Sequence, residues 1–101
     1  MLYFLGDLAK SKGYLEKALA TATEIGDRKT EALCHGNLGA VFISLGDYVK
    51  PKEYFEKALA IAIEIADRKG ERTCYENLGA VFISLGDYVK AHDYVAFEID
   101  D

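Results

Sequence analysis

CHGNLGAVFISLGDYVK runs from Cys34 to Lys50, and CYENLGAVFISLGDYVK runs from Cys74 to Lys90. The two stretches lie forty residues apart and differ at two of seventeen positions, His35/Tyr75 and Gly36/Glu76. The likeness extends upstream, where EKALATATEI (Glu16–Ile25) returns as EKALAIAIEI (Glu56–Ile65). Self-similarity at a period of 20–50 residues is the mark of a stacked solenoid, in which each unit buries its apolar face only against its neighbours.

Within the repeated block Leu38, Val41, Phe42 and Leu45 fall at i, i+3, i+4 and i+7, one face of a helix. Leu45-Gly46-Asp47 breaks that pattern, with Gly46 suited to a left-handed helix end and Asp47 to capping the helix that follows. The next segment carries two apolar stripes, Phe55, Ala58, Leu59 and Ala62 on one and Tyr54, Ile61 and Ile65 on the other. A helix apolar on two sides needs cover on two sides, from its hairpin partner and from the next repeat. The spacing predicts helices near 8–25, 31–45, 48–66, 71–85 and 88–94. It places turns at Gly26-Asp27-Arg28, Leu45-Gly46-Asp47, Asp67-Arg68-Lys69-Gly70 and Leu85-Gly86-Asp87. By the forty-residue offset Met1 aligns with Val41, so residues 1–5 are at most the last turn of a first helix. The expected organisation is one array over 1–94, made of a partial repeat 1–29, a full repeat 30–69 and a truncated repeat 70–94. Residues 95–101 are expected to form a frayed acidic tail.

The chain has 101 residues, half of them apolar, which suits one domain with a real core. Seventeen acids against twelve bases leave a net charge of −5, which disfavours nucleic acid and anionic membrane surfaces as partners. No segment approaches the about 18 apolar residues of a membrane span, and the opening residues lack the basic leader of a signal peptide. Cys34 and Cys74 sit one repeat apart, separated by a whole hairpin, whereas a disulfide needs Cα atoms within about 7 Å. Both are expected to be free thiols of a reducing, cytoplasmic setting.

His35-x2-Leu38-Gly39-x2-Phe42, followed by Leu45-Gly46-Asp47-Tyr48, Phe55 and Ala58, resembles the tetratricopeptide repeat, as does its copy from Tyr75 to Tyr88. That repeat is usually about 34 residues long. The forty-residue version is similar to the Pins/LGN-type G-protein-signalling modulators and to large multi-repeat scaffolds. The resemblance implies an all-α solenoid of antiparallel helix hairpins in a right-handed superhelix, here of about two and a half repeats. The Pins/LGN pattern has NLGN where this chain has NLGA twice, at Ala40 and Ala80, and no arginine stands at Leu33 or Thr73. Pro51 replaces the small residue that Ala91 provides in the next copy, and a tightened or shifted helix start is expected there.

Nothing in the chain assembles an acid, a base and a nucleophile, and no phosphate-binding or metal-ligand spacing occurs, so neither an enzyme nor a cofactor is expected. His35 and His92 lack ligand spacing, and the charges after Asp27 and Asp67 read as solvated turns behind a capping acid. The resemblance implies that the first-helix face opposite the core lines a concave groove for a peptide or helix segment of a partner protein. The residues on that face are Leu33, Gly36, Asn37, Ala40, Ile43 and Ser44, then Thr73, Glu76, Asn77, Ala80, Ile83 and Ser84. Asparagine offers both a donor and an acceptor to an extended backbone. Two other readings stay open: a regulatory segment beside a signalling ATPase or caspase-like protease domain, and self-association through uncovered end helices.

Overall fold

Asp27 and Asp67 each open a helix by accepting a backbone N–H three residues on. Thr30 N donates to Asp27 Oδ1 at 3.2 Å, and Gly70 N donates to Asp67 Oδ1 at 3.0 Å. Around these caps the computed structural model describes residues 2–86, with side chains from Gly6 onward. The described residues form four helices and no strand: α1 Leu2–Ile25, α2 Arg28–Ser44, α3 Lys50–Glu64 and α4 Arg68–Ser84. Each packs on the next, α1 on α2, α2 on α3 and α3 on α4, giving an all-α hairpin solenoid of about two repeats. The helix expected at 88–94 and the tail at 95–101 lie outside the described residues.

The joints share one chemistry. Gly26, Gly46, Ala66 and Gly86 have φ of 74°, 86°, 59° and 84°. At the first three, the N–H of the following aspartate reaches back five residues to a helix carbonyl: Asp27 to Ala22 at 2.9 Å, Asp47 to Phe42 at 2.9 Å and Asp67 to Ala62 at 2.8 Å. This closure satisfies carbonyls that a helix end leaves without partners.

Three boundaries differ from the sequence reading. First, α2 and α4 begin at Arg28 and Arg68 rather than near 31 and 71, because the capping aspartate starts the helix at once. Gly70 is therefore not a turn residue but a first-turn position, where an added Cβ would stand 2.5 Å from Asp67 Oδ2. Second, α3 begins at Lys50, so buried Pro51 falls in the first turn, where its missing N–H has no helical partner to lose. Asp47 still serves this start, accepting from Val49 N at 3.0 Å and Lys50 N at 3.1 Å. Third, α1 runs unbroken through Leu5-Gly6-Asp7, the counterpart of the Leu45-Gly46-Asp47 turn. Gly6 meets nothing within 4 Å.

Both stripes of α3 find cover, as expected. Tyr54 turns toward α2 and stacks on Phe42, ring centroids 5.5 Å apart and planes at 14°. Phe55 lies between α2 and α4: its ring meets Gly39 and clusters with Leu78, Val81 and Phe82, with Leu59 and Ile43 at the edge. Leu38 and Leu78 are wholly buried, and both Phe42 and Phe82 are buried. Arg28 ties the beginning of α2 to the end of α3 with a two-pronged ion pair to Glu64, at 2.8 and 2.9 Å, while a third bond reaches Glu31 at 2.9 Å. On α1 the counterpart of Tyr54 is Tyr14, which is 71% exposed. Thr21 stands where α3 has Ile61, and Ile25 is 70% exposed.

Candidate peptide-binding groove

Successive first helices lie on either side of a second helix, and the space between them is a groove. Lys29, Ala32, Leu33, Gly36, Asn37 and Ala40 of α2 form one wall. Asp67, Lys69, Gly70, Thr73, Cys74 and Asn77, from the start of α4, form the other, and Ala58 and Ala62 of α3 make the floor. The volume is about 410 Å³. Most of these side chains are small, so a ligand backbone can approach the floor closely. Leu33, 58% exposed, is the one large apolar group on the walls.

The structure brings together six of the residues singled out from the sequence: Leu33, Gly36, Asn37, Ala40, Thr73 and Asn77. The others lie outside the lining. Ile43 is half-buried and packs against the Phe55–Phe82 cluster. Ser44, Glu76, Ala80 and Ser84 are exposed beyond the groove, as is Ile83 at 48%. The sequence reading overlooked Lys29 and Lys69, which it assigned to solvated turns. Because α2 and α4 start at residues 28 and 68, each lysine sits one turn before Leu33 or Thr73 and two turns before an asparagine. The spacing i, i+4, i+8 was available in the sequence but hidden by the late helix starts.

The titratable groups near the groove are shifted by burial and by ion pairing. Burial pushes the Cys74 thiol up to about 11, with Asp67 and Glu71 adding to the effect. Burial, then Asp27, raises Cys34 as well. Both cysteines are buried and free, so both are protonated and unreactive near neutrality. His35, on the far side of α2, is buried with its Nδ1 lacking any partner, and its Nε2 lies 4.0 Å from Glu31. Burial, then Lys57, holds its pKa below the ordinary 6.5. Arg28 holds Glu64 below the usual carboxylate range. Among the described residues no group of three His, Cys, Asp or Glu side chains could hold a metal ion.

Paired helices joined by left-handed turns and a groove along the first helices are the geometry of one repeat family, and its pattern, Tetratricopeptide repeat, matches residues 1–63. The chain belongs to the tetratricopeptide repeat family. The crystal structure of the TPR domain of Arabidopsis FLU is similar to it, at 25% identity and a TM-score of 0.85, over 92% of this chain and 78% of that one. No curated protein matches it closely enough to count as a relative. Tetratricopeptide arrays mediate protein–protein interaction and are typically non-enzymatic scaffolds. No helix among the described residues is long and apolar enough to cross a membrane.

Proposed function

We propose that this tetratricopeptide array is a protein-interaction scaffold that holds an extended segment of a partner in the groove between α2 and α4. The observation that carries the reading is the pairing of Asn37 and Asn77 on facing walls above the Ala58–Ala62 floor. Each amide can donate to a backbone carbonyl and accept from a backbone N–H, so two of them grip a peptide without demanding a side-chain sequence. Free thiols at Cys34 and Cys74 suit a cytoplasmic setting for that role.

A phage-displayed library of random twelve-residue peptides, selected on the 101-residue chain, tests the reading. Enriched peptides are expected to lose at least about tenfold in affinity to the Asn37→Ala/Asn77→Ala variant, which corresponds to about 1.4 kcal/mol. They should also fail on Ala40→Arg, which fills the groove. Peptides that bind all three proteins equally would place recognition elsewhere.

A further inference from the structure

α1 and α3 are the second helices of successive repeats, yet the same stripe has opposite fates on the two. On α3 the stripe is Tyr54, Ala58, Ile61 and Ile65; Tyr54 stacks on Phe42 of α2, Ala58 and Ile61 are buried, and Ile65 is half-buried. Forty residues earlier, on α1, it is Tyr14, Ala18, Thr21 and Ile25, and all four are exposed, Tyr14 at 71% and Ile25 at 70%. Thr21 stands in for Ile61 but carries no orphaned group, because its hydroxyl donates to the Lys17 carbonyl at 3.1 Å. This stripe can therefore be covered without stranding a polar atom.

The stripe reads alike in both directions. Its steps are four, three and four residues, the spacing of a coiled-coil seam, with large side chains at the ends and small ones in the middle. A second α1 laid antiparallel about a two-fold axis fits it: Tyr14 of each copy meets Ile25 of the other, and Ala18 meets Thr21, where the small side chains let the helices approach closely. The charges agree with this register. Lys17 and Glu24 are both exposed and lie seven residues apart on the flank away from Leu15 and Ala22. Neither is in an ion pair among the described residues, whereas Lys12 and Glu16 pair along α1 at 3.8 Å. In the antiparallel arrangement Lys17 of each copy falls within about 3 Å, measured along the axis, of Glu24 of the other, giving two symmetry-related ion pairs.

We propose that this face of α1 is a homodimer surface, on which two chains pair α1 against α1, antiparallel, each covering the other as α2 covers α3. The hollow of about 350 Å³ that Ala18, Thr21 and Ile25 share with Asp27 and Thr30 receives the Tyr14 ring of the second copy. One helix pair of about three turns is small beside the interfaces of permanent dimers, so the dissociation constant is expected in the micromolar range. The groove between α2 and α4 lies on other helices, and this inference stands or falls apart from the scaffold reading.

Sedimentation velocity of the 101-residue chain, from about 1 to about 500 μM, tests it. The expected result is a shift from monomer to dimer across that range. Lys17→Glu and Glu24→Lys each turn both ion pairs into like-charge contacts, and each alone should dimerise about tenfold more weakly. An equimolar mixture of the two variants restores opposite charges at both contacts and should recover the dimer. Both substitutions are at exposed sites, and circular dichroism verifies folding. Monomer at every concentration overturns the inference, as does a dimer that neither variant weakens, which would place the contact on another face. A dimer weakened by both variants and not recovered in their mixture overturns the antiparallel register.

Discussion

Gly39 of α2 lies against the ring of Phe55 of α3 so closely that a Cβ at Gly39 would stand 2.7 Å from Cε1 and 2.9 Å from Cζ. Phe55 is 2% exposed and has no room to retreat. Gly39→Ala is therefore expected to destabilise the array by up to about 2 kcal/mol, an overpacking cost of about 1–3 kcal/mol partly offset by about 1 kcal/mol of helix propensity. Gly36, three residues away, meets nothing within 4 Å, and Gly36→Ala should stabilise by up to about 1 kcal/mol. Urea denaturation of the pair gives opposite signs; equal signs would mean that α2 and α3 are not this close.

Ala66 holds a left-handed backbone, φ 59°, where the other three joints have glycine. That conformation costs a residue with a Cβ about 1–2 kcal/mol. Ala66→Gly relieves it but leaves a more flexible unfolded chain. A net gain of up to about 1 kcal/mol is expected in the denaturation midpoint. A loss would show that the Ala66 methyl makes contacts that outweigh the strain.

The depressed pKa of His35 makes stability fall on acidification. Above 6.5 the imidazole is neutral in both folded and unfolded chains and contributes no pH dependence. As pH falls below 6.5 the unfolded chain takes up a proton that the folded one resists, so unfolding is favoured. His35→Tyr, the residue of the second copy, should flatten that limb of the stability–pH curve between about 6.5 and 5. An unchanged slope would assign the acid sensitivity to other groups.

Glu64 titrates lower because Arg28 bonds to it. Its folded pKa is depressed, so the stabilisation is present above the ordinary carboxylate value of 4.5 and is lost as pH falls through the folded pKa. Arg28→Ala should return Glu64 to the ordinary carboxylate range in a carbon-detected NMR titration, with a smaller change at high salt because the pair is solvent-exposed.

Cys74 is pushed up to about 11 and buried. Iodoacetamide at pH 7.5 is expected to label it slowly in the folded chain and rapidly in urea. A fast reaction in the native state would mean that the groove wall opens at α4.

The forty-residue repeat made the fold legible: it identified the helix pairs, the two-sided burial of α3 and the buried Phe42 and Phe82. The left-handed glycine joints and the capping aspartates were legible too, because their chemistry is local. What escaped depended on neighbours. Leu5-Gly6-Asp7 has the residues of the Leu45-Gly46-Asp47 turn, yet it lies within α1. Asn37, Ala40 and Asn77 were found on the groove face from their register on the first helix. Ile43 shares that helix but leans onto the core cluster, because the interhelical space at its level is filled by Phe55 and Phe82. Lys29 and Lys69 were missed because the helix starts were set three residues late, at the glycine-containing end of the acid-base run instead of at the aspartate.

Left-handed residues at 26, 46, 66 and 86 mark the chain off every twenty positions. After 26 and 66 the next residue is an aspartate that caps the helix beyond. Splicing a second Asp27–Ala66 cassette after Ala66 would recreate that same joint at each seam, with no linker to invent. A gene built this way can grow by unequal crossing-over, one cassette at a time, and every new length presents one more groove beside the last.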